Sequence, residues 1–239
     1  MMADYSAGAP LWARFVQGAA QESPESAAAR RAAASWVLPE GADRLPPPPQ
    51  AIDGCPLPYD WDRRGYAALD VETTGLDSGR DRVIEIGVVL FSFDGEGALR
   101  EEASWGSLID PGIPIPAAST AVHGLTDLDI WGAPAFRTVA DKLESMLAGR
   151  VFVAHNAPFD AGFIRAEYSR LGRGSPIAEM ADTLPLLRLS VPNLMSYSLG
   201  KAAFVLGFET GTSHRALDDA KTCMRLFSHS ARILSGSCP

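Results

Sequence analysis

The alternation of apolar and polar residues from Asp62 onward predicts an α/β domain. Short apolar runs bounded by turn residues are typical of buried strands. They occur at Tyr66–Val71, Arg82–Phe93, Ala98–Ile109, Val151–Ala154 and within Met180–Leu187. Three strands come first, and helices and strands then alternate. This order predicts a mixed central sheet flanked by helices.

Helical spacing, in which apolar residues recur every three or four positions, predicts the flanking elements. The predicted helices are Phe136–Leu147, Pro158 to about Leu171, Ser196–Leu206 and Arg215–Leu234. Pro158 suits a first helical turn, where a backbone N–H has no partner within the helix. The three prolines of Pro111–Pro116 interrupt regular structure.

Residues 1–60 differ in composition from the rest of the chain. An Ala-rich stretch, in which Ser23 could cap a helix over Pro24–Val37, precedes the stiff proline run Pro46–Pro49. One interpretation is an N-terminal extension that is partly helical or disordered. The other is an arm that docks a protein partner. The sequence thus predicts an extension over 1–60 and a domain over 61–239.

Composition narrows the classes of function. With 239 residues the chain can bury a sizeable core, and its net charge of −8 predicts no general basic surface. This disfavours a purely nucleic-acid-binding protein, but not a nuclease whose carboxylates hold cations. The three cysteines form no CxxC pair, and no signal peptide or membrane-length apolar run is present. We therefore expect a cytoplasmic protein without a membrane partner.

Asp70 and Glu72 give the first indication of chemistry. Lying two residues apart in a predicted strand, they project from one face, while Leu69 and Val71 project from the other. Two neighbouring carboxylates are costly in an apolar setting unless a cation lies between them. Hard divalent ions prefer such oxygen ligands. The alternative is a solvent-exposed acidic strand face.

A third acid, Asp160, falls in the first turn of the helix that begins near Pro158. It lies on the same inward stripe as Phe163 and Ile164. By itself it could serve only as a capping charge that interacts favourably with the helix dipole. Its inward position makes it a candidate metal ligand as well.

The fourth acid is one of two neighbouring aspartates. Asp219 falls on the apolar stripe of the last predicted helix, whereas Asp218 groups with polar residues. We therefore assign Asp219 to the site and Asp218 to solvent. His214, just before the helix, could act as general base for an attacking water. The alternative for His214 is a cap or a surface group.

Four inward acids would be hard to tolerate without cations. Two divalent metals roughly 4 Å apart would balance Asp70, Glu72, Asp160 and Asp219 and would suit an in-line phosphoryl displacement. Mg²⁺ and Mn²⁺ both fit a site built from oxygen ligands.

Three motifs occur in the order of a known family. They are Leu69–Gly75, His155–Asp160, and His214 followed five positions later by Asp219; Pro111–Pro116 and Val122–Asp127 match between them. Over about residues 64–233 the chain resembles the DEDD 3′–5′ exonucleases in their histidine-bearing (DEDDh) branch. It resembles in particular the proofreading epsilon subunits of bacterial DNA polymerase III. The resemblance implies a ribonuclease-H-like fold with a five-stranded mixed sheet.

The resemblance also implies roles for individual residues. Asp70, Glu72 and Asp219 would hold the metal that positions the water, and Asp70 would share a second metal with Asp160. The residues implied to contact the 3′-terminal nucleotide or to line its sugar and base pocket are Thr73, Thr74, Gly75, His123, Leu125, Asn156 and Phe159. Ordinary packing is the alternative for His123 and Phe159.

The expected activity is removal of nucleoside monophosphates from 3′ ends of single-stranded or frayed DNA, as in proofreading or repair. The chain ends soon after its last helix, without the C-terminal extension that links epsilon subunits to their polymerase. We therefore expect a free-standing exonuclease. An RNA-directed enzyme of the same branch is the first alternative, because the motifs do not distinguish the two nucleic acids. A non-catalytic adaptor is the second.

Overall fold

The structure, a computed structural model, describes Leu57, residues 60–211 and residues 214–237. The predicted helix and proline run of the N-terminal extension lie outside these residues. The described strands are β1 Tyr66–Thr73, β2 Val83–Phe93, β3 Leu99–Leu108, β4 Val151–Ala154 and β5 Glu179–Asp182. The described α-helices are α1 Ala117–His123, α2 Phe136–Leu147, α3 Ala157–Arg170, α4 Thr183–Ser190, α5 Leu199–Val205 and α6 Ala216–Ser237.

The five strands form one mixed sheet in the order β3-β2-β1-β4-β5. β2 pairs antiparallel with both β1 and β3, whereas β4 pairs parallel with both β1 and β5. Alternate residues of β1 enter different cores. Leu69 and Val71 pack with α2 and α3 on one face, and Tyr66 and Ala68 pack with α6 on the other. The predicted mixed five-stranded sheet flanked by helices is confirmed.

The short strand expected within Met180–Leu187 is β5, which ends at Asp182, and the helix α4 begins at Thr183. The Asp182 carboxylate accepts a hydrogen bond from the Leu184 N–H and so caps the helix. The helix α1, directly after Pro116, was not predicted, and α5 is shorter than the predicted Ser196–Leu206. Helices this short are marginal by themselves, so a local pattern predicts them poorly.

Aromatic contacts and the buried Leu57 side chain pack the start of the domain against the core. The Tyr66 hydroxyl donates to the Trp61 carbonyl, and the Trp61 ring lies 4.7 Å from that of Phe93. Leu57 is buried in the same core as Tyr66. No helix among the described residues is long and apolar enough to span a membrane.

Candidate active site

Asp70 and Glu72 lie near the end of the central strand β1, on the face that α6 covers. Asp70 is half-buried and Glu72 is buried. On the neighbouring strand β2, Gly87 lies opposite Asp70, and Glu85 lies opposite Glu72. The strand alternation therefore places both carboxylates on one face, as the sequence predicted.

Asp160 approaches the same strand from the opposite side. β4 pairs with β1 only as far as Ala68, so the later N–H groups on this side of β1 lack a strand partner in β4. α3 follows β4, and the buried carboxylate of Asp160 accepts a hydrogen bond of 3.1 Å from the Val71 N–H. This contact brings the third acid to the end of β1 and satisfies a backbone donor.

The start of α6 brings the fourth acid and the histidine. Glu72, His214 and Asp219 each offer a ligand atom, and the three atoms lie within 4.8 Å of one another. The His214 N–H donates to the Asp219 carboxylate at 3.0 Å. His214 has a φ of 61°, a left-handed conformation that is uncommon for residues other than glycine. Asp218 lies outside this cluster, half-buried beside Gly211.

Burial and mutual repulsion raise the pKa values of all four acids. Burial raises the pKa of Glu72 to about 7, helped by the charges of Asp219 and Glu85 and opposed by Arg215. Burial raises the pKa of Asp70 well above its usual value, and the charges of neighbouring carboxylates raise it further. The pKa values of Asp160 and Asp219 are also raised, chiefly by burial.

This donor set fits divalent cations. Carboxylates whose pKa values are raised by burial and by one another are stabilised when a cation joins them. Oxygen ligands with one imidazole nearby suit Mg²⁺ or Mn²⁺. The cluster is therefore a candidate metal centre.

We expect the acidic cluster to destabilise the metal-free fold increasingly as the pH rises from about 4 to about 8. Unfolded carboxyl groups ionise near pH 4, whereas Glu72 in the folded chain has a pKa of about 7 and its neighbours are also raised. The folded state then binds more protons, so its free energy of unfolding falls with rising pH. A divalent ion should reverse this loss, because it binds the folded state. Denaturant unfolding at several pH values, with and without Mn²⁺, measures the effect. A metal-free Glu72→Gln variant with the same pH dependence of unfolding as wild type would contradict it.

The residues after β1 form a tightly bonded turn. Thr73 and Thr74 are both buried. The Thr73 hydroxyl donates to the Gly75 carbonyl at 2.6 Å, and the Thr74 hydroxyl accepts from the Arg82 N–H at 3.0 Å. A Cβ at Gly75 would overlap the carboxylate of Asp81. The Thr74 N–H also donates to the Arg82 carbonyl at 2.9 Å, so both backbone and side-chain bonds hold the turn.

His123 and Leu125 lie beside that turn. α1, which ends at His123, is tied to the turn because the Ser119 hydroxyl donates to the Thr74 carbonyl at 2.6 Å. His123 is 7% exposed, and its Nδ1 accepts from the Leu125 N–H at 3.0 Å. Its Nε2 has no hydrogen-bond partner among the described residues. A buried donor of this kind is a candidate contact for a ligand.

Asn156 and Phe159 flank the start of α3. Asn156 is exposed, has a φ of 68°, and its N–H donates to the Asp182 carboxylate. The Phe159 ring is half-buried, 5.0 Å from that of Phe163, and packs against the core. Phe159 therefore has a packing role whether or not it also meets a base.

Sequence reasoning missed the contribution of Glu85 and Arg215. Glu85 is buried in β2, and the Arg215 guanidinium donates two hydrogen bonds to its carboxylate. A charged residue inside the apolar run Val83–Val89 was the available signal.

His155, which the sequence indicated only as part of a motif, has a structural role. Its ring nitrogens form hydrogen bonds with the Thr183 hydroxyl and the Tyr197 carbonyl, and burial lowers its pKa.

Comparison with known proteins identifies the family. Residues 67–227 match the exonuclease family model RNase_T. The chain belongs to this exonuclease family. The epsilon subunit of DNA polymerase III from Treponema pallidum is 35% identical over 178 residues, covering 71% of this chain and 80% of that protein. The family prediction and the prediction of a 3′–5′ exonuclease are confirmed.

Other similar proteins are longer or more distant. An epsilon-like protein of Rhodobacter capsulatus is 40% identical over 171 residues, but this exonuclease chain matches only 23% of its length. E. coli exonuclease I with a dT13 oligonucleotide has a TM-score of 0.60 at 15% identity, covering 69% of this chain and 40% of that one. Exonuclease X with 5′-overhanging duplex DNA has a TM-score of 0.54 at 22% identity, covering 70% and 91%. Both structures share the fold.

Proposed function

We propose that this exonuclease removes nucleoside monophosphates from 3′ ends of single-stranded or frayed DNA, using two divalent metal ions. The observation that carries the proposal is the convergence of Glu72, His214 and Asp219 within 4.8 Å, with Asp70 and Asp160 beside them. Asp70, Glu72, Asp160 and Asp219 would hold the ions. Bound divalent ions lower the pKa of water and offset the charge that develops on a phosphate.

His214 is proposed to accept the proton of the attacking water. Its side chain is exposed at the edge of the acidic cluster, so water can reach it. Imidazole is suited to take a proton near neutral pH. The backbone bond from the His214 N–H to Asp219 holds the residue beside the acids without using its ring.

The 3′-terminal nucleotide is proposed to bind beside the turn after β1. Thr73, Thr74 and Gly75 would contact that nucleotide, and the unpartnered Nε2 of His123 could donate to its sugar. The other proposed pocket residues are Leu125, Asn156 and Phe159. Aromatic and apolar groups stack with bases without sequence preference.

DNA is the favoured substrate because the epsilon subunit of Treponema pallidum belongs to a DNA polymerase, and two structural neighbours were solved with DNA. RNA remains the alternative substrate. The similarity to an epsilon subunit supports proofreading or repair as the proposed role. A protein partner that binds the N-terminal extension is a further proposal.

An end-labelled oligonucleotide assay tests the function. A 5′-labelled single strand should give a ladder that shortens from its 3′ end, and a 3′-labelled strand should release mononucleotide at once. Both reactions should require Mg²⁺ or Mn²⁺ and stop with a chelator. The rates on matched DNA and RNA strands decide between the two substrates. Failure to cleave either strand, with metal binding intact, would contradict the proposal and favour the adaptor.

Removal of residues 1–56 is expected to leave activity on short oligonucleotides unchanged. The cut spares Leu57, which is buried in the core beside Tyr66, and it lies before the family match at residues 67–227. Specific activity and the midpoint of thermal unfolding should both match the full chain. A large loss of either would show that the extension belongs to the domain. As a comparison, removal of residues 1–57 tests the part played by Leu57.

A further inference from the structure

The first turn of α6 lies directly on the backbone of β2. A Cβ at Gly87 would overlap backbone atoms of Ala216 and Leu217. Real side-chain atoms do not approach a backbone so closely, so the start of the helix would have to move. Glycine is therefore required here for close approach. Gly87 also lies opposite Asp70 in the strand register, so the close approach occurs beside the metal cluster.

An ion pair between Arg215 and Glu85 holds the same first turn of α6 against β2. The Arg215 Nε and Nη2 both donate to the Glu85 carboxylate, at 3.1 and 2.9 Å from Oε1. Glu85 Oε2 also accepts from the Ala216 N–H at 3.2 Å. Glu85 is 6% exposed and lies opposite Glu72. Two hydrogen bonds from one guanidinium to one carboxylate fix the orientation of the helical turn as well as its distance from β2.

These contacts join the two halves of the candidate metal centre. Asp70 and Glu72 belong to β1, which is bonded to β2. His214 and Asp219 lie on either side of Arg215 in the chain, at the start of α6. Any shift of this turn relative to β2 therefore changes the spacing of the ligand set.

We propose that Gly87, Glu85 and Arg215 are positioning residues that set the distance between the two halves of the metal centre. Gly87 fixes how closely α6 approaches the sheet, and the Glu85–Arg215 pair fixes its orientation. The inference rests on the proposed function only in taking the acidic cluster to be a metal site. Residues that orient metal ligands commonly affect metal affinity, although they do not touch the ion.

A pair of glycine variants tests the close approach without altering charge. Gly106 lies opposite Gly87 on β3, but a Cβ there would make ordinary contacts, 3.4 Å from the Ile86 carbonyl oxygen and 3.5 Å from the Leu217 Cβ. Gly87→Ala should weaken Mn²⁺ binding by roughly 10–100-fold, whereas Gly106→Ala should leave it unchanged. Calorimetric titration of the full chain gives both affinities. Wild-type affinity in a folded Gly87→Ala variant would overturn the proposal.

Arg215→Gln separates positioning from a simple effect of charge. Removal of a cation beside carboxylates should tighten Mn²⁺ binding if charge alone matters. The same substitution should weaken Mn²⁺ binding by roughly 10–100-fold if the Arg215–Glu85 ion pair positions the helix. Tighter or unchanged binding would overturn the proposal. This variant decides the question even if Gly87→Ala fails to fold.

A second ion pair supplies the matched control for Arg215→Gln. The Arg82 Nε and Nη2 donate hydrogen bonds of 2.7 and 2.9 Å to the buried carboxylate of Glu167, which also accepts from the Val83 N–H. Arg82→Gln should therefore cost a similar ion pair and some stability while leaving Mn²⁺ affinity unchanged. Equal losses of affinity in both arginine variants would point to general destabilisation and overturn the proposal.

Metal titration needs no nucleic acid, so the two proposals can fail separately. A wild-type chain that binds Mn²⁺ but cleaves no 3′ end would reject the proposed substrate and leave the positioning role standing. A wild-type chain that cleaves 3′ ends while Arg215→Gln binds Mn²⁺ normally would reject the positioning role alone.

Discussion

Replacement of Asp70 by asparagine is expected to abolish hydrolysis while the fold is retained. Asp70 lies centrally among the acids, since Asp160, Asp219 and Glu72 all raise its pKa. Asparagine preserves the shape but removes the charge that would hold the ions. Bound metal supplies several kcal/mol of transition-state stabilisation, and at 1.36 kcal/mol per factor of ten this predicts a loss of roughly 10³-fold or more. Single-turnover cleavage of a labelled strand measures the loss.

The stability of the same variant should change in the opposite direction to its activity. Burial and repulsion raise the Asp70 pKa, so the ionised group is unfavourable in the metal-free fold. Asp70→Asn should therefore unfold at a higher denaturant concentration than wild type near pH 8 without metal. With Mn²⁺ the order should reverse, since only wild type gains fully from binding.

Asp218→Asn is the control for charge removal near the site. Asp218 precedes Asp219 in α6 but lies outside the cluster, beside Gly211. Its replacement should leave the cleavage rate within a few-fold of wild type. Near-normal cleavage by Asp70→Asn, or a loss in Asp218→Asn as large as that in Asp70→Asn, would contradict the assignment of the acids.

The sheet and the inward positions of Asp70, Glu72 and Asp219 followed from short-range patterns. Alternation in a strand determines which face Asp70 and Glu72 occupy, whatever the rest of the chain does. Helical periodicity likewise separated Asp219 from Asp218, because the apolar stripe of α6 must face the sheet. The observed burial of Glu72 and the exclusion of Asp218 from the cluster agree with these arguments.

The parts that sequence reasoning missed depend on contacts between distant segments. Glu85 and Arg215 are 130 positions apart, and neither has a pattern that names the other as its partner. The seven-residue helix α1 is too short to be stable by itself, but it is tied to the Thr74 carbonyl through Ser119. The unpartnered Nε2 of His123 is likewise visible only after folding, since it follows from burial.

Replacement of His214 by asparagine is expected to reduce the cleavage rate by about 10²–10⁴-fold, the usual contribution of a general base. Asparagine is preferred to alanine because His214 has a left-handed backbone, which asparagine adopts more readily. The backbone bond from residue 214 to Asp219 is then kept. The lost side chain is therefore the main change, and a reduced rate reports on its chemistry rather than on a displaced helix.

The metal affinity of His214→Asn decides which role the imidazole has. A ring nitrogen of His214 lies within 4.8 Å of carboxylate oxygens of Glu72 and Asp219, so the imidazole could bind an ion instead of taking a proton. A general base predicts a lower rate with Mn²⁺ affinity unchanged. His229→Asn, farther along the same helix and beside Phe208, should alter neither quantity. Parallel losses of rate and affinity in His214→Asn would instead make His214 a ligand and leave the proton to another acceptor.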